Sequence, residues 1–194
     1  FTMVFLVRKM RHIADLREYR ILMVVDRQDL EDQLSETAEH TGELRYDTKT
    51  KKIQNIIENR QALVKLETDT ADLNLVMIHK FGENKEYSLE SLIKTGIVPK
   101  YESFPVINNS EKILVLIDEA HRSQGGEMGD NLFHAFPNAA RIGFTGTPLI
   151  TPRHKATTCE RFGQEAGVFI DTYKMNDSVK DNATVDIKYI GRKS

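Results

Sequence analysis

The feature that most constrains the fold of this chain is a set of short apolar runs that end abruptly in charged residues. Ile113-Leu114-Val115-Leu116-Ile117 stops at Asp118-Glu119, and Ile21-Leu22-Met23-Val24-Val25 stops at Asp26. Leu73 to Ile78 gives way in the same manner to His79-Lys80. A strand with one wet face alternates polar and apolar residues, whereas a continuous aliphatic run must be covered on both faces, as in a parallel sheet. Strands are therefore predicted at 21–25, 73–78 and 112–117, with a further one at 140–144.

Between these runs the apolar spacing changes to that of helices. Residues 1–16 carry Met3, Leu6, Met10, Ile13 and Leu16 among Arg8, Lys9, Arg11 and His12; residues 29–40 are rich in Glu, Leu and Gln and stop at Thr41-Gly42. Ile53, Ile56, Ile57, Leu63 and Val64 predict another helix over 51–66, and further helices are predicted at 128–136 and near 168–175. Gly82, Gly96, Pro99, Pro105 and Asn108-Asn109 mark 82–110 as a surface excursion holding a short helix at 88–94, and Val185 to Tyr189 alternates like a strand. Strands alternating with helices imply right-handed βαβ units and an α/β fold, a parallel sheet with helices on both faces. Ligands of such sheets sit at the carboxyl ends of the strands, so Asp118 to His121 and Thr145 to Thr147, both at predicted strand ends, should share one rim.

Charge narrows the possible partners. With 27 Lys and Arg against 29 Asp and Glu, the formal net charge is −2, so any contact with nucleic acid must be local. No run approaches the ~18 apolar residues needed to span a bilayer. The apolar start, Phe1 to Val7, has neither a basic flank nor a small-residue cleavage site, so it is a poor signal peptide. The single Cys159 cannot pair within the chain, which fits a reducing cytoplasm. A length of 194 residues suits one cored domain with an appended segment.

An aliphatic strand ending in Asp-Glu can do specific chemistry. The buried strand fixes the backbone, so that Asp118 can hold Mg²⁺ beside the phosphates of ATP while Glu119 polarises the attacking water. Acidic residues also end many strands merely because they are solvated. The two residues that follow distinguish this corner.

Asp118-Glu119-Ala120-His121 resembles motif II of the DEAH-type superfamily 2 helicases and translocases, and Gly143-Phe144-Thr145-Gly146-Thr147-Pro148 resembles their motif III. The finer resemblance is to the R subunits of type I restriction enzymes. Val24-Val25-Asp26-Arg27-Gln28-Asp29-Leu30 with Gln33 is similar to their motif Ia, and Asp118 to Gln124 and Gly143 to Leu149 match their fuller patterns. Phe162-Gly163, Tyr173, Val179-Lys180-Asp181 and Val185 to Tyr189 resemble the stretch that links their two motor lobes.

This resemblance implies a RecA-like lobe of P-loop NTPase fold over 1–150 and a segment over 151–194 leading toward a second motor lobe. ATP and Mg²⁺ are the implied cofactors, with Asp118 at the metal and Asp118 and Glu119 as the catalytic, nucleotide-facing pair. His121, Thr145, Gly146 and Thr147 are implied to couple the nucleotide to motion, and Arg27, Gln28 and Lys80 to lie near the DNA backbone. The implied partners are double-stranded DNA, the second lobe of the same chain, and specificity and methylation subunits. The implied activity is ATP-dependent translocation and DNA cleavage by the parent protein, in the cytoplasm.

The sequence departs from the family at one point. None of the 194 residues forms G-x-x-x-x-G-K-[ST], the loop whose amides and Lys cradle the phosphates. By resemblance Phe1 to Leu6 corresponds to the helix directly after that loop, so the fold is expected to be truncated at its amino terminus. These residues alone are then expected to be inactive, with a sheet edge left exposed. Two alternatives stand beside this reading: another superfamily 2 motor, such as a type III restriction subunit or a repair helicase, and a degenerate lobe kept for binding.

Overall fold

The structure, a computed structural model, describes residues 2–42, 46–47, 52–53, 55–57, 59–68, 72–82, 104–123, 127–148, 158–165 and 167–185. In chain order its elements begin with α1 (Thr2–Arg11), β1 (Arg20–Val25) and α2 (Gln28–His40). Three short strands follow, β2 (Tyr46–Asp47), β3 (Lys52–Ile53) and β4 (Ile56–Ile57), then a 3-10 helix (Arg60–Glu67). Next come β5 (Leu73–Met77), a 3-10 turn (Ile78–Phe81), β6 (Ile113–Ile117), α3 (Ala120–Ser123), α4 (Glu127–Ala135) and β7 (Ala140–Gly143). The last two are α5 (Thr158–Arg161) and α6 (Met175–Lys180).

The main sheet runs β4-β5-β1-β6-β7, and all four of its pairings are parallel. This is the doubly covered α/β sheet that the aliphatic runs require. Every residue of β1, β5 and β6 is buried. On one face Met3, Val4, Val7 and Met10 of α1 and Leu34 and Ala38 of α2 cover Ile21, Met23, Leu75, Leu114 and Leu116. On the other, Leu22, Val24, Val76, Val115 and Ile117 pack with Leu66, Phe81, Phe104, Leu132 and Phe136. Odd and even strand positions thus serve different layers, as the two-residue period of a strand dictates.

Two predicted helices fold otherwise. Over 51–66 the chain forms β3, β4 and the 3-10 helix, with Asn55 at φ 68. The spacing of Ile53, Ile56 and Ile57 imitates a helix, but pairing of Ile56 and Ile57 with Leu75 and Val76 takes precedence. The helix proper starts only where the Asn59 side chain accepts the Ala62 N–H at 2.9 Å. Near 168–175 most of the segment is irregular and exposed, and helix begins only at Met175. There Lys174 N–H donates to the Asp177 carboxylate at 2.9 Å and marks the start. The predicted helix at 88–94 and residues 186–189 of the predicted last strand lie outside the described residues; Val185 has no regular structure. The short helix α5 and the strand β2, which pairs antiparallel with β3, had no counterpart in the sequence reading.

Candidate functional site

The carboxyl ends of β1, β5, β6 and β7 meet on one rim because the strands are parallel neighbours. At its centre the Asp118–Glu119 corner is clamped from both sides. Asp118 N–H donates to Val24 O of β1 at 2.9 Å, and Phe144 N–H, just past β7, donates to Ile117 O at 2.8 Å. Ala120 N–H returns the contact to Phe144 O at 2.9 Å. Between these clamps Glu119 takes φ 45, a left-handed conformation that costs a residue with a side chain on the order of 1 kcal/mol. The strain turns the chain sharply from β6 into α3.

Beyond this turn the side chains form one network. His121 Nδ1 lies 2.7 Å from Thr145 Oγ1 and 3.3 Å from Glu119 Oε2. Its Nε2 lies 3.2 Å from Thr147 Oγ1, and Thr147 N–H donates to Thr145 Oγ1 at 3.1 Å. An Nδ1–H would donate toward Thr145 and Glu119, while Thr147 Oγ1 lies close to both ring nitrogens, 3.4 Å from Nδ1 and 3.2 Å from Nε2. The imidazole therefore joins the acidic corner to the hydroxyl turn. Gly146 has no positive φ, and a Cβ there would meet nothing within 4 Å, so the turn does not depend on glycine for space or for backbone freedom.

Asp118 is half-buried, and burial, reinforced by the neighbouring Glu119 charge, holds its carboxyl above the ordinary range despite a hydrogen bond from the Glu119 backbone. A carboxylate desolvated in this way fits a divalent cation, whose charge would offset the cost. Among the described residues no three His, Cys, Asp or Glu side chains converge to enclose a metal. Phosphate oxygens and water would therefore have to complete its shell, as they commonly do for Mg²⁺.

The residues expected near DNA sit elsewhere on the rim. Arg27 is exposed between β1 and α2, Gln28 opens α2, and Lys80 is half-buried in the turn after the adjacent strand β5. The side chain of Gln28 lies outside the described residues. Asn131 of α4 donates to Phe81 O at 2.8 Å and ties that turn to the helix layer.

A family model of SWI2/SNF2 ATPases matches residues 1–194. The chain belongs to the SWI2/SNF2 ATPase family. Within the described residues its sheet is the RecA-like α/β core of such a motor, and membership implies nucleotide binding. The chain is also similar to named type I restriction endonuclease subunits. It is 31% identical to the HindI endonuclease subunit of Haemophilus influenzae over 202 residues, which is 97% of this chain and 17% of that protein. It is 29% identical to the putative MjaVIIIP endonuclease subunit of Methanocaldococcus jannaschii over 174 residues, 86% of this chain and 16% of that one. The chain thus spans about a sixth of the length of these relatives.

Sequence reasoning located the corner and the turn but not what fixes their separation. Gly143 could have been a signal, since a glycine ending a strand often marks close approach of another segment. The segment that approaches it lies beyond the turn, and its Phe162-Gly163 resembles the family's linking stretch without disclosing this contact.

Proposed function

We propose that this chain is the first motor lobe of a type I restriction endonuclease subunit, with residues 151–194 leading toward a second lobe, and that it drives ATP-dependent translocation of double-stranded DNA. The observation that carries this reading is the Asp118–Glu119 corner joined through His121 to Thr145 and Thr147. Bound Mg²⁺ and ATP would supply a polarised γ-phosphoryl group whose developing charge the cation neutralises. Asp118 would hold a water of the cation's shell, and Glu119 would orient the attacking water and accept its proton. His121 would pass a change at this corner to the Thr145–Thr147 turn. Arg27, Gln28 and Lys80 would contact the DNA backbone, which suits a motor that must move along any sequence.

The proposed partners are DNA together with specificity and methylation subunits, in the cytoplasm. Among the described residues no helix is long and apolar enough to cross a membrane. Because the 194 residues contain no G-x-x-x-x-G-K-[ST] loop, hydrolysis requires residues outside this stretch, and the stretch by itself is expected to be inactive. The test is DNA-stimulated ATP hydrolysis by the complete subunit in its complex. Glu119→Gln should lower kcat by about 10²-fold or more while nucleotide still binds; a variant that hydrolyses ATP at the parent rate would refute the reading. Turnover by the isolated 194 residues that vanishes in Glu119→Gln would refute the expected inactivity. A degenerate lobe would show neither hydrolysis nor sensitivity to Glu119.

A further inference from the structure

The end of β7 is packed more tightly than any turn requires. A Cβ added to Gly143 would come within 2.7 Å of Phe162 Cζ, 2.9 Å of Phe162 Cε2 and 2.8 Å of the Ala120 Cβ. Carbon atoms do not approach so closely, and Gly143 has no positive φ that would itself call for glycine. The missing side chain therefore makes room for three segments to meet: the strand that runs into Thr145, the first residue of α3 behind Glu119, and the ring of Phe162.

Phe162 is itself held firmly. Its N–H donates to Cys159 O at 3.0 Å as α5 ends, and Gly163, at φ 77, closes that end by donating to Glu160 O at 3.1 Å. Its ring meets Phe133 of α4 edge to face, with centroids 6.0 Å apart. The guanidinium of Arg141 lies 4.4 Å from the Phe133 ring centroid and that of Arg161 lies 5.3 Å from it. Arg161 also pairs with Asp130 of the same helix. The ring is thus pinned between α4 and the joint where Ala120 and Phe144 exchange backbone contacts. Two residues beyond Gly143 lies the Thr145 hydroxyl that touches His121.

We propose that Phe162 is a positioning residue for ATP hydrolysis: its ring, seated on Gly143 and Ala120, sets the spacing between the Glu119 corner and the Thr145–Thr147 turn. It thereby links that spacing to the segment that continues through residues 167–185. A ring that only filled space would affect stability. A ring that sets this spacing must also affect how the corner works once nucleotide is bound, because small misplacements of a reacting group cost far more in rate than in binding. The inference rests on the motor reading proposed above.

The test uses the complete subunit in its complex and compares Phe162→Leu, Phe162→Ala and Leu63→Ala. Leu63 is buried in the same core but on the 3-10 helix, so its truncation costs stability away from the joint. Phe162→Ala should lower kcat for ATP about tenfold with KM within about twofold of the parent. Phe162→Leu, which keeps part of the apolar bulk, should fall between the two and folds even if the alanine variant does not. Leu63→Ala should keep kcat within about twofold below its melting temperature. The proposal is overturned if Phe162→Leu retains the parent kcat, or if its rate falls no more than that of Leu63→Ala at matched stability. Loss of hydrolysis in Glu119→Gln together with an unchanged Phe162→Leu would sink this inference alone. Full hydrolysis in Glu119→Gln would sink the motor reading beneath it.

Discussion

Asp118 illustrates how a single residue can be poor for stability and still suit its position. Burial raises its carboxyl above the ordinary range, so the folded chain favours the protonated form. The stability tied to that proton is fully present below the ordinary carboxylate pKa and is lost as pH rises through the raised value. At neutral pH without a metal, the charge on Asp118 therefore works against folding. Asp118→Asn should raise the melting temperature at pH 7.5 in chelator by on the order of a few degrees, with the gain shrinking as pH falls toward the ordinary aspartate range. Thermal melts from the ordinary aspartate range up to neutral pH check this, and an Asn variant that melts lower than the parent at neutral pH would contradict it. The positions of Asp118, Glu119, His121 and Thr145 on one rim were legible in the sequence, because parallel strands align their carboxyl ends. The left-handed turn at Glu119 was not, since it arises from clamps by β1 and β7 that are remote in sequence. Phe162 was singled out only as part of the linking stretch; its contact with Gly143 and Ala120 was not legible, as an aromatic residue in a polar stretch does not disclose a distant partner.

At the scale of elements, β7 and α4 stabilise each other through one side chain. Arg141 points its guanidinium into the carboxyl end of α4 and donates to Phe133 O, Phe136 O and Pro137 O at 3.3, 3.1 and 3.3 Å. Carbonyls at a helix end lack intrahelical donors, although Phe136 O also accepts from Ala139 N–H at 3.3 Å, and a cation there suits the helix dipole. Burial, with the charge of Arg161 nearby, holds the Arg141 guanidinium below its usual pKa without discharging it. Arg141→Ala should cost about 1 kcal/mol in urea unfolding, because partly buried carbonyls lose a charged donor. Arg141→Lys should recover only part of this, since an ammonium lacks the planar guanidinium that lies against the Phe133 ring. Equal stability for all three proteins would show that water replaces the guanidinium at no cost. Elements with continuous aliphatic runs were read correctly from sequence, as β1, β5 and β6 illustrate. The failures fell on short segments where pairing partners decide: Ile56 and Ile57 have helical spacing but are held as β4 by β5.

On the scale of the whole molecule, the two edges of the sheet are unequal. β4 is only two residues long and offers little to pair with. β7 is longer; Ala140 and Gly143 are exposed and Arg141 and Ile142 half-buried, while the three inner strands are fully covered. Among the described residues no strand pairs with its outer side. An open edge of this kind templates association between copies. The 194 residues expressed by themselves should accordingly show concentration-dependent self-association in sedimentation velocity, and Ala140→Lys should suppress it. A parent chain that stays monomeric across the micromolar range would rule this out. The alternation of strands and helices disclosed the class of fold, but not the order β4-β5-β1-β6-β7, because that order is set by how the crossovers pack.

The central position of β1 also has a kinetic consequence. Its two neighbours are β5 and β6, and the pairing of Arg20 with Ile113 joins residues far apart in sequence, with β5 between them along the chain. A strand that waits for partners so remote in sequence must close large loops before any sheet hydrogen bond repays their entropy, which places this chain among slowly folding topologies. While it waits, the aliphatic run from Ile21 to Val25 is bare. A ribosome releasing residues in order exposes that run long before β6 emerges, so the segment that becomes the best-buried strand of the mature protein is its most vulnerable during synthesis.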